Sequence, residues 1–408
     1  MEECKNPEEK KGFFKKLGEK IKANKGKTVA ITLVAFVLIC AIVSLCCLSA
    51  FVFNRFATGV LPTDADLDAV RGQYKRVVII GVDGTGAYPG EMLDDDEGSL
   101  PNFKKLFVDG TTTKNGTKLY SSVTYEGVAV YPTISAQNWT SMFRGVRPPY
   151  HGITGNNSNK ELDKGKQPNE KYPSFVKVVL DAHENAKAFS SCTWSAVNNG
   201  AIEDHDRLTK MNTTCKSITD ILSEKSFKIV LSPDEFLTQL TFNTYADGVA
   251  DPDYSLRDAI TVQRVIDAAT SPEGEDYEIF YMHLNQVDSA GHSYGYNKQA
   301  YARAVSRVDN LIGRLYNAFD EAGMADDALF IFCTDHGHRY LQDGTGHGGN
   351  SDVEVKVTFA VAGKTVKQGT PGKYVNTDLA PIVTYALGVK APDVWQGLVP
   401  YDMFTALN

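Results

Sequence analysis

Apolar residues along this chain fall into three patterns, and each predicts a different element. The first is one unbroken run over 28–53, twenty-six residues without a charge and dominated by Val, Ile, Leu, Ala and Phe. A helix crosses a bilayer with about 20 apolar residues, so the run predicts one transmembrane helix with some tilt. A cleaved signal peptide has an apolar region of only about 7–15 residues behind a short leader. Here 27 residues precede a longer run, which favours an uncleaved signal anchor. The second pattern is a set of short runs rich in β-branched residues, 77–82, 279–284, 329–333 and 357–361. Each is too short for a typical helix and is followed by Gly, Asp or His, as strands are. The third pattern is helical. Over 298–322, Tyr301, Val305, Val308, Ile312, Leu315 and Phe319 recur at spacings of four and three, and Gly323 offers the stop.

Strands alternating with helices predict an α/β body with a largely parallel central sheet, flanked by helices on both faces. The chain then divides into a tail over 1–27, the anchor over 28–53, a short stem over 54–75 and one domain over 76–408. The polar stretch 157–173 reads as a surface loop, and no internal repeat is present. In open α/β sheets, ligands collect beyond the carboxyl ends of the strands, so chemistry is sought there.

Charge sets the orientation. The 408 residues carry a formal net charge of −8, with 42% hydrophobic and 23% charged residues, which excludes a disordered chain and a disulfide-dense mini-protein. The tail holds nine Lys against five Glu, a local +4, whereas the remainder holds 33 Lys and Arg against 45 Asp and Glu, or −12. Positive residues stay cytoplasmic, so a single-pass type II topology follows, with the body extracellular or lumenal and the plasma membrane as the first expectation. The acidic body also argues against nucleic-acid binding. Sequons headed by Asn115, Asn138, Asn156 and Asn212 fit a glycoprotein facing that side. Cys40, Cys46 and Cys47 sit in or near the span, where acylation and plain lipid burial both remain open. Cys192 and Cys215 could pair in an oxidising compartment, and Cys333 in its apolar run reads as a buried thiol.

Candidate chemistry clusters after the strands. Asp83-Gly84 follows 77–82, Asp288 and His292 follow 279–284, Asp335-His336-Gly337 follows 329–333, and His347 lies in Gly-His-Gly-Gly soon after. Carboxylate oxygens and imidazole nitrogens together suit zinc or a similar divalent ion, and three Asp with three His suffice for two neighbouring ions. A second constellation runs from Tyr131 to Asn157. Pro132 stops a preceding strand and 135–144 can begin a helix, which places Ser135 where free N–H groups favour an anion. Ser135 or Thr133 could equally cap that helix.

These motifs resemble the nucleotide pyrophosphatase/phosphodiesterase family of the alkaline phosphatase superfamily, over roughly residues 76–400. Asp83-Gly84 matches the family's first strand end. Pro132-Thr133-Ile134-Ser135-Ala136-Gln137-Asn138 is similar to its Pro-Thr-Lys-Thr-Phe-Pro-Asn, with Ser135 where the family has its nucleophilic Thr. His151-Gly152-Ile153 and Asn156, Asp288-Ser-Ala-Gly-His292, Thr334-Asp335-His336-Gly337 and Asn376-Thr-Asp-Leu-Ala-Pro381 with Leu387-Gly388 complete the likeness. Two features depart from the family: Ser at the nucleophile position looks more like alkaline phosphatases and other superfamily branches, and the spacing of only eleven residues from His336 to His347 implies a trimmed body.

The resemblance implies an alkaline-phosphatase-like core and a metal-dependent phosphodiesterase or nucleotide pyrophosphatase. It implies one divalent ion, zinc foremost, on Asp83, Asp335 and His336 and touched by Ser135. A second would sit on Asp288, His292 and His347. Ser135 would carry the covalent intermediate, while Asn156 and N–H groups near Ala136 would hold a phosphoryl oxygen. The expected partner is a small nucleotide or phosphodiester. A phosphomonoesterase or phospholipid head-group hydrolase stays open, the former if Arg144 or Arg147 reaches the substrate, and so does an inactive adhesive ectodomain. Trp139 and Tyr150 could stack on a base or fill the core. Oligomeric state is not read.

Overall fold

The computed structural model of the chain describes, within its body, residues 72–96, 98–156, 168–213, 252–400 and 403–405. The expected anchor over 28–53 and Cys215 lie outside the described residues. Among the described residues, no helix is long and apolar enough to cross a membrane.

One eight-stranded sheet organises these residues: β1 (Arg76–Val82), β2 (Thr111–Thr112), β3 (Lys118–Val128), β4 (Lys187–Cys192), β5 (Leu208–Asn212), β6 (Tyr277–Leu284), β7 (Ala328–Cys333) and β8 (Lys356–Gly363). Their spatial order is β2-β3-β8-β7-β1-β6-β4-β5. All four runs expected as strands are strands. The sheet is mixed, which corrects the largely parallel expectation. From β7 to β5 every pairing is parallel, but β8 pairs antiparallel with β7, β3 with β8, and β2 with β3. A parallel return needs a crossover, usually a helix. Between β7 and β8 the only helical segments are two single turns, Leu341–Asp343 and Asp352–Val355, so the chain comes back in the opposite direction. β3 eluded the apolar-run criterion because exposed and buried positions alternate along its polar sequence.

Helices cover both faces: α1 (Tyr88–Asp95), α2 (Ser135–Arg144), α3 (Phe175–Ala182), α4 (Pro252–Ala269), α5 (Gln286–Tyr294), α6 (Gln299–Glu321) and α7 (Leu379–Ala386). Alternation along β1 assigns the two cores. Val77 and Ile79 pack with Met142 and Phe143 of α2, Phe175 and Val179 of α3, and Ile382 of α7. Val78, Ile80 and Val82 pack with Val262 and Val265 of α4 and with Tyr301, Val305, Val308, Ile312, Leu315 and Phe319 of α6. Those six residues are the stripe read from the sequence, and each buried side chain of this size contributes about 1.5–3 kcal/mol relative to exposure. Gly323 follows α6 with φ 76°, the left-handed conformation expected of the stop.

Register brings the chemistry together. Gly81 pairs with His283 on one side and Cys333 on the other, so Asp83, the start of α5 and Asp335 leave three adjacent strands at the same edge. Cys192 and Cys333 are buried free thiols. Burial pushes Cys192 up to about 12, despite the Ser190 hydroxyl nearby.

Candidate active site

Ser135 is the first residue of α2. The residue before it, Ile134, caps the helix with no side-chain hydrogen bond, so neither Ser135 nor Thr133 serves as the cap. Their hydroxyls do different things. Thr133 donates to the Gly349 carbonyl at 2.8 Å and accepts the Gly348 N–H at 3.0 Å, clamping the loop that carries His347. Ser135 Oγ instead lies 2.9 Å from His336 Nε2 and 3.5 Å from Asp83 Oδ1.

The tautomers of the surrounding histidines follow from their partners. His336 Nδ1 lies 3.1 Å from the Gly337 carbonyl and His347 Nδ1 lies 2.6 Å from the Thr133 carbonyl. A carbonyl only accepts, so both Nδ1 atoms carry the proton and both Nε2 lone pairs point into the site. His336 Nε2 faces Asp335 Oδ2 at 3.2 Å and Asp83 Oδ1 at 3.6 Å, and His347 Nε2 faces Asp288 Oδ1 at 3.7 Å. The two rings stack with centroids 3.7 Å apart. His292, half-exposed, places Nε2 at 3.6 Å from Asp288 Oδ2.

Three overlapping groups able to hold a cation result: Asp83 with Asp335 and His336, all buried; Asp288 with His336 and His347; and Asp288 with His292 and His338. His292 and His347, expected on one ion, therefore share Asp288 but fall in different groups. All six Asp and His expected as ligands are therefore at one edge of the sheet, together with His338, a neighbour the sequence reading missed.

The electrostatics call for positive charge there. Asp335 Oδ1 accepts the N–H groups of Gly84 and His336, both at 3.0 Å, but its buried Oδ2 has no hydrogen-bond partner. Burial, then the neighbouring Asp83, pushes the Asp335 carboxyl well above its ordinary range. For Asp288, burial works in the same direction but is outweighed by the His338 hydrogen bond and by His338, His292 and His347, which hold the carboxyl below its usual range. Burial keeps His336 and His347 low, which preserves their Nε2 lone pairs. An orphaned buried carboxylate oxygen beside two inward-facing imidazole lone pairs is a donor set suited to a divalent cation.

The remaining expectations separate. Asn156 accepts the Ala136 N–H on Oδ1 at 3.1 Å, which occupies that N–H and leaves Asn156 Nδ2 as the donor of the pair. Arg144 is buried and donates to the carbonyls of Ala201 and Tyr172 while pairing with Glu203 at 3.0 Å, so it is committed to structure. Arg147 is exposed. Trp139 is core, as one of its two readings had it, yet its indole N–H also donates to Asp83 Oδ2 at 3.0 Å. Tyr150 is partly exposed and meets Tyr172 edge-on. His151 is buried, its Nε2 2.9 Å from the Ser141 hydroxyl, and burial drives it down to about 3.

Residues 77–348 match the type I phosphodiesterase / nucleotide pyrophosphatase family. The chain belongs to that family. Its fold is shared with alkaline phosphatase PafA, at TM-score 0.55 and 13% identity over 85% of this chain and 100% of that one. It is shared also with murine ectonucleotide pyrophosphatase / phosphodiesterase 5, at TM-score 0.51 and 13% identity over 78% and 96%. Among curated proteins it is 23% identical over 292 residues to human ectonucleotide pyrophosphatase/phosphodiesterase family member 1, covering 70% of this chain and 26% of that protein. It is 24% identical over 191 residues to the catalytic subunit of human GPI ethanolamine phosphate transferase 3, covering 45% and 17%. The matched segments span well under a third of these relatives' lengths. The family assignment places the chain among the type I phosphodiesterases and nucleotide pyrophosphatases, and its Asp/His groups are arranged so that they could hold a metal ion.

Proposed function

We propose that the body is a metal-dependent phosphodiesterase or nucleotide pyrophosphatase working through a covalent ester on Ser135. In this reading it is anchored through 28–53 with the catalytic domain extracellular or lumenal. The observation that carries the reading is the position of the Ser135 hydroxyl, uncapped at a helix N-terminus and facing both His336 Nε2 and the open oxygen of Asp83. Asp83, Asp335 and His336 would hold one divalent ion beside Ser135, and Asp288, His292 and His347 a second; zinc suits these oxygen and nitrogen donors. Bound there, such ions lower the pKa of a hydroxyl or water and neutralise charge on phosphoryl oxygens.

Ser135 loses its proton and forms the oxygen–phosphorus bond as the bond to the leaving oxygen breaks, and that oxygen is protonated on departure. Water then attacks the seryl ester and restores the hydroxyl. Asn156 Nδ2 steadies a non-bridging oxygen as negative charge grows on it, while the α2 N-terminus adds its dipole. The engagement of Thr133 with the His347 loop favours Ser135 over Thr133 as nucleophile. The commitment of Arg144 to backbone carbonyls favours diesters and pyrophosphates over monoesters, because it supplies no extra cation for a dianion. The full set of candidate ligands disfavours an inactive adhesive module.

A hydroxyl of a second substrate in place of water would turn the same seryl ester into a group transfer, and the similarity to GPI ethanolamine phosphate transferases supports that acceptor as the second reading. The test compares thymidine monophosphate nitrophenyl ester, ATP and p-nitrophenyl phosphate on the purified chain, with and without chelator. Diester and pyrophosphate cleavage that chelation abolishes and zinc restores is expected. A strong monoester preference overturns the assignment.

A further inference from the structure

We propose that His338, and at the other cluster Trp139 with His283, are positioning residues that tether one oxygen of Asp288 and of Asp83 and so fix how each carboxylate meets its ion. This rests on the metal reading above. His338 Nε2 lies 2.8 Å from Asp288 Oδ1, the oxygen that His347 Nε2 also faces at 3.7 Å, while Oδ2 is turned to His292. Trp139 Nε1 and His283 Nε2 both lie 3.0 Å from Asp83 Oδ2, leaving Oδ1 turned to Ser135 and His336. Asp335 shows the same division, with Oδ1 held by two backbone N–H groups and Oδ2 open.

Proton placement separates these histidines from the candidate ligands. A carboxylate only accepts, so His338 and His283 carry their proton on Nε2, the atom facing the carboxylate, and neither Nδ1 has a partner among the described residues. His336 and His347 are the reverse, with Nδ1 spent on a carbonyl and Nε2 open. Distance agrees. Two donors on one tetrahedral zinc, each about 2.0–2.2 Å from it, stand about 3.3–3.6 Å apart. The 3.6 Å from Asp288 to His292 has that character, whereas 2.8 Å to His338 is a hydrogen bond. The placement of His338 therefore argues against counting it as a ligand, although it lies within reach of Asp288 and His292.

The backbone leaves room for this ring. A Cβ on Gly291 would stand 2.3 Å from His338 Cδ2, and one on Gly84, whose φ is +67°, would stand 2.8 Å from His338 Nε2. Gly84 follows Asp83 in the turn after β1 and Gly291 precedes His292 within α5, so the slot that admits the imidazole is built from the same turn and helix that deliver Asp83 and Asp288.

The test measures zinc stoichiometry by elemental analysis and zinc affinity by chelator competition on the full chain. It adds the visible spectrum of the cobalt-loaded form, for His338→Ala, His338→Gln and Trp139→Phe. His338→Ala is expected to keep the full ion count at saturation but to weaken one site about 10–100-fold, with the cobalt band in place. His338→Gln, which keeps an N–H donor, is expected to recover part of the loss, and Trp139→Phe to weaken the other site. Unchanged affinities in His338→Ala and Trp139→Phe overturn the proposal alone. Loss of an ion in both His338 variants, with a shifted cobalt band, makes His338 a ligand and also overturns it. A wild-type chain that takes up no divalent ion removes the metal reading and this proposal together. If His338→Ala does not fold, Trp139→Phe decides the outcome: wild-type affinity there overturns the proposal.

Discussion

Ser135 Oγ lies 2.9 Å from His336 Nε2, a contact made across 201 residues of sequence by a helix start and a strand end. The hydroxyl two residues earlier, on Thr133, is instead bound to the His347 loop. Ser135→Ala is therefore expected to reduce phosphodiester turnover at least about a thousandfold while leaving thermal unfolding and metal content near wild type. Thr133→Ala is expected to keep the seryl chemistry but loosen His347. Normal turnover by Ser135→Ala would transfer the nucleophile assignment to Thr133.

Asn156 accepts the Ala136 N–H on Oδ1, which leaves its Nδ2 as the group proposed to donate to a phosphoryl oxygen. Removing one such donor costs about 10²–10³ in kcat where charge develops in the transition state. Asn156→Ala is expected to show that loss in kcat with a smaller change in KM, measured on the nitrophenyl diester. A loss confined to KM would place Asn156 in ground-state binding only.

Asn138 heads a sequon but is fully buried, and this corrects its reading as a glycan site. Its Oδ1 accepts the Val130 N–H at 2.8 Å and its Nδ2 donates to the Val130 carbonyl at 2.9 Å. No glycan is expected there by peptide mass mapping, whereas Asn115 is exposed. Asn138→Ala strands both backbone groups and is expected to lower stability by about 2–4 kcal/mol in urea unfolding.

Asp258 is buried and accepts the Thr193 hydroxyl and the N–H groups of Asn285 and Gln286, which anchors the start of α5. Burial pushes its carboxyl up to about 6, with those donors pulling the other way. Between its ordinary value and about 6 the folded chain holds a proton that the unfolded chain has released. Stability therefore falls as pH rises through that window, by up to about 3 kcal/mol from this group. Against Asp258→Asn, wild type should lose relative stability between pH about 4 and 6.5 in urea titrations. A constant difference across that range would remove Asp258 from the pH dependence.

How much was legible follows from where the signals sit. The Asp and His ends of β1, β6 and β7 could be read because each lies a few residues beyond a short apolar run, among Gly that turn the chain. The antiparallel edge was hidden because β3 is half polar; the one sign of it in the sequence is the lack of a helical pattern over 334–355, which leaves β8 no crossover. Trp139 and His283 were missed as partners of Asp83 because they come from 56 and 200 residues away. His283 did leave a signal, as an ionisable residue within an otherwise apolar strand, which requires a buried partner. His338 left a weaker one, two residues beyond His336 in the same Gly-containing turn. The glycan reading of Asn138 failed because a sequon says nothing of burial.

In the proposed mechanism the phosphoryl group passes through Ser135 with metal present. Acid quenching of the enzyme during turnover of the nitrophenyl diester, followed by peptide mass mapping, would trap that ester. A phosphate-ester adduct on Ser135, absent after chelation and from Ser135→Ala, is expected. Sustained turnover with no adduct on Ser135, or with the adduct on Thr133, would contradict it.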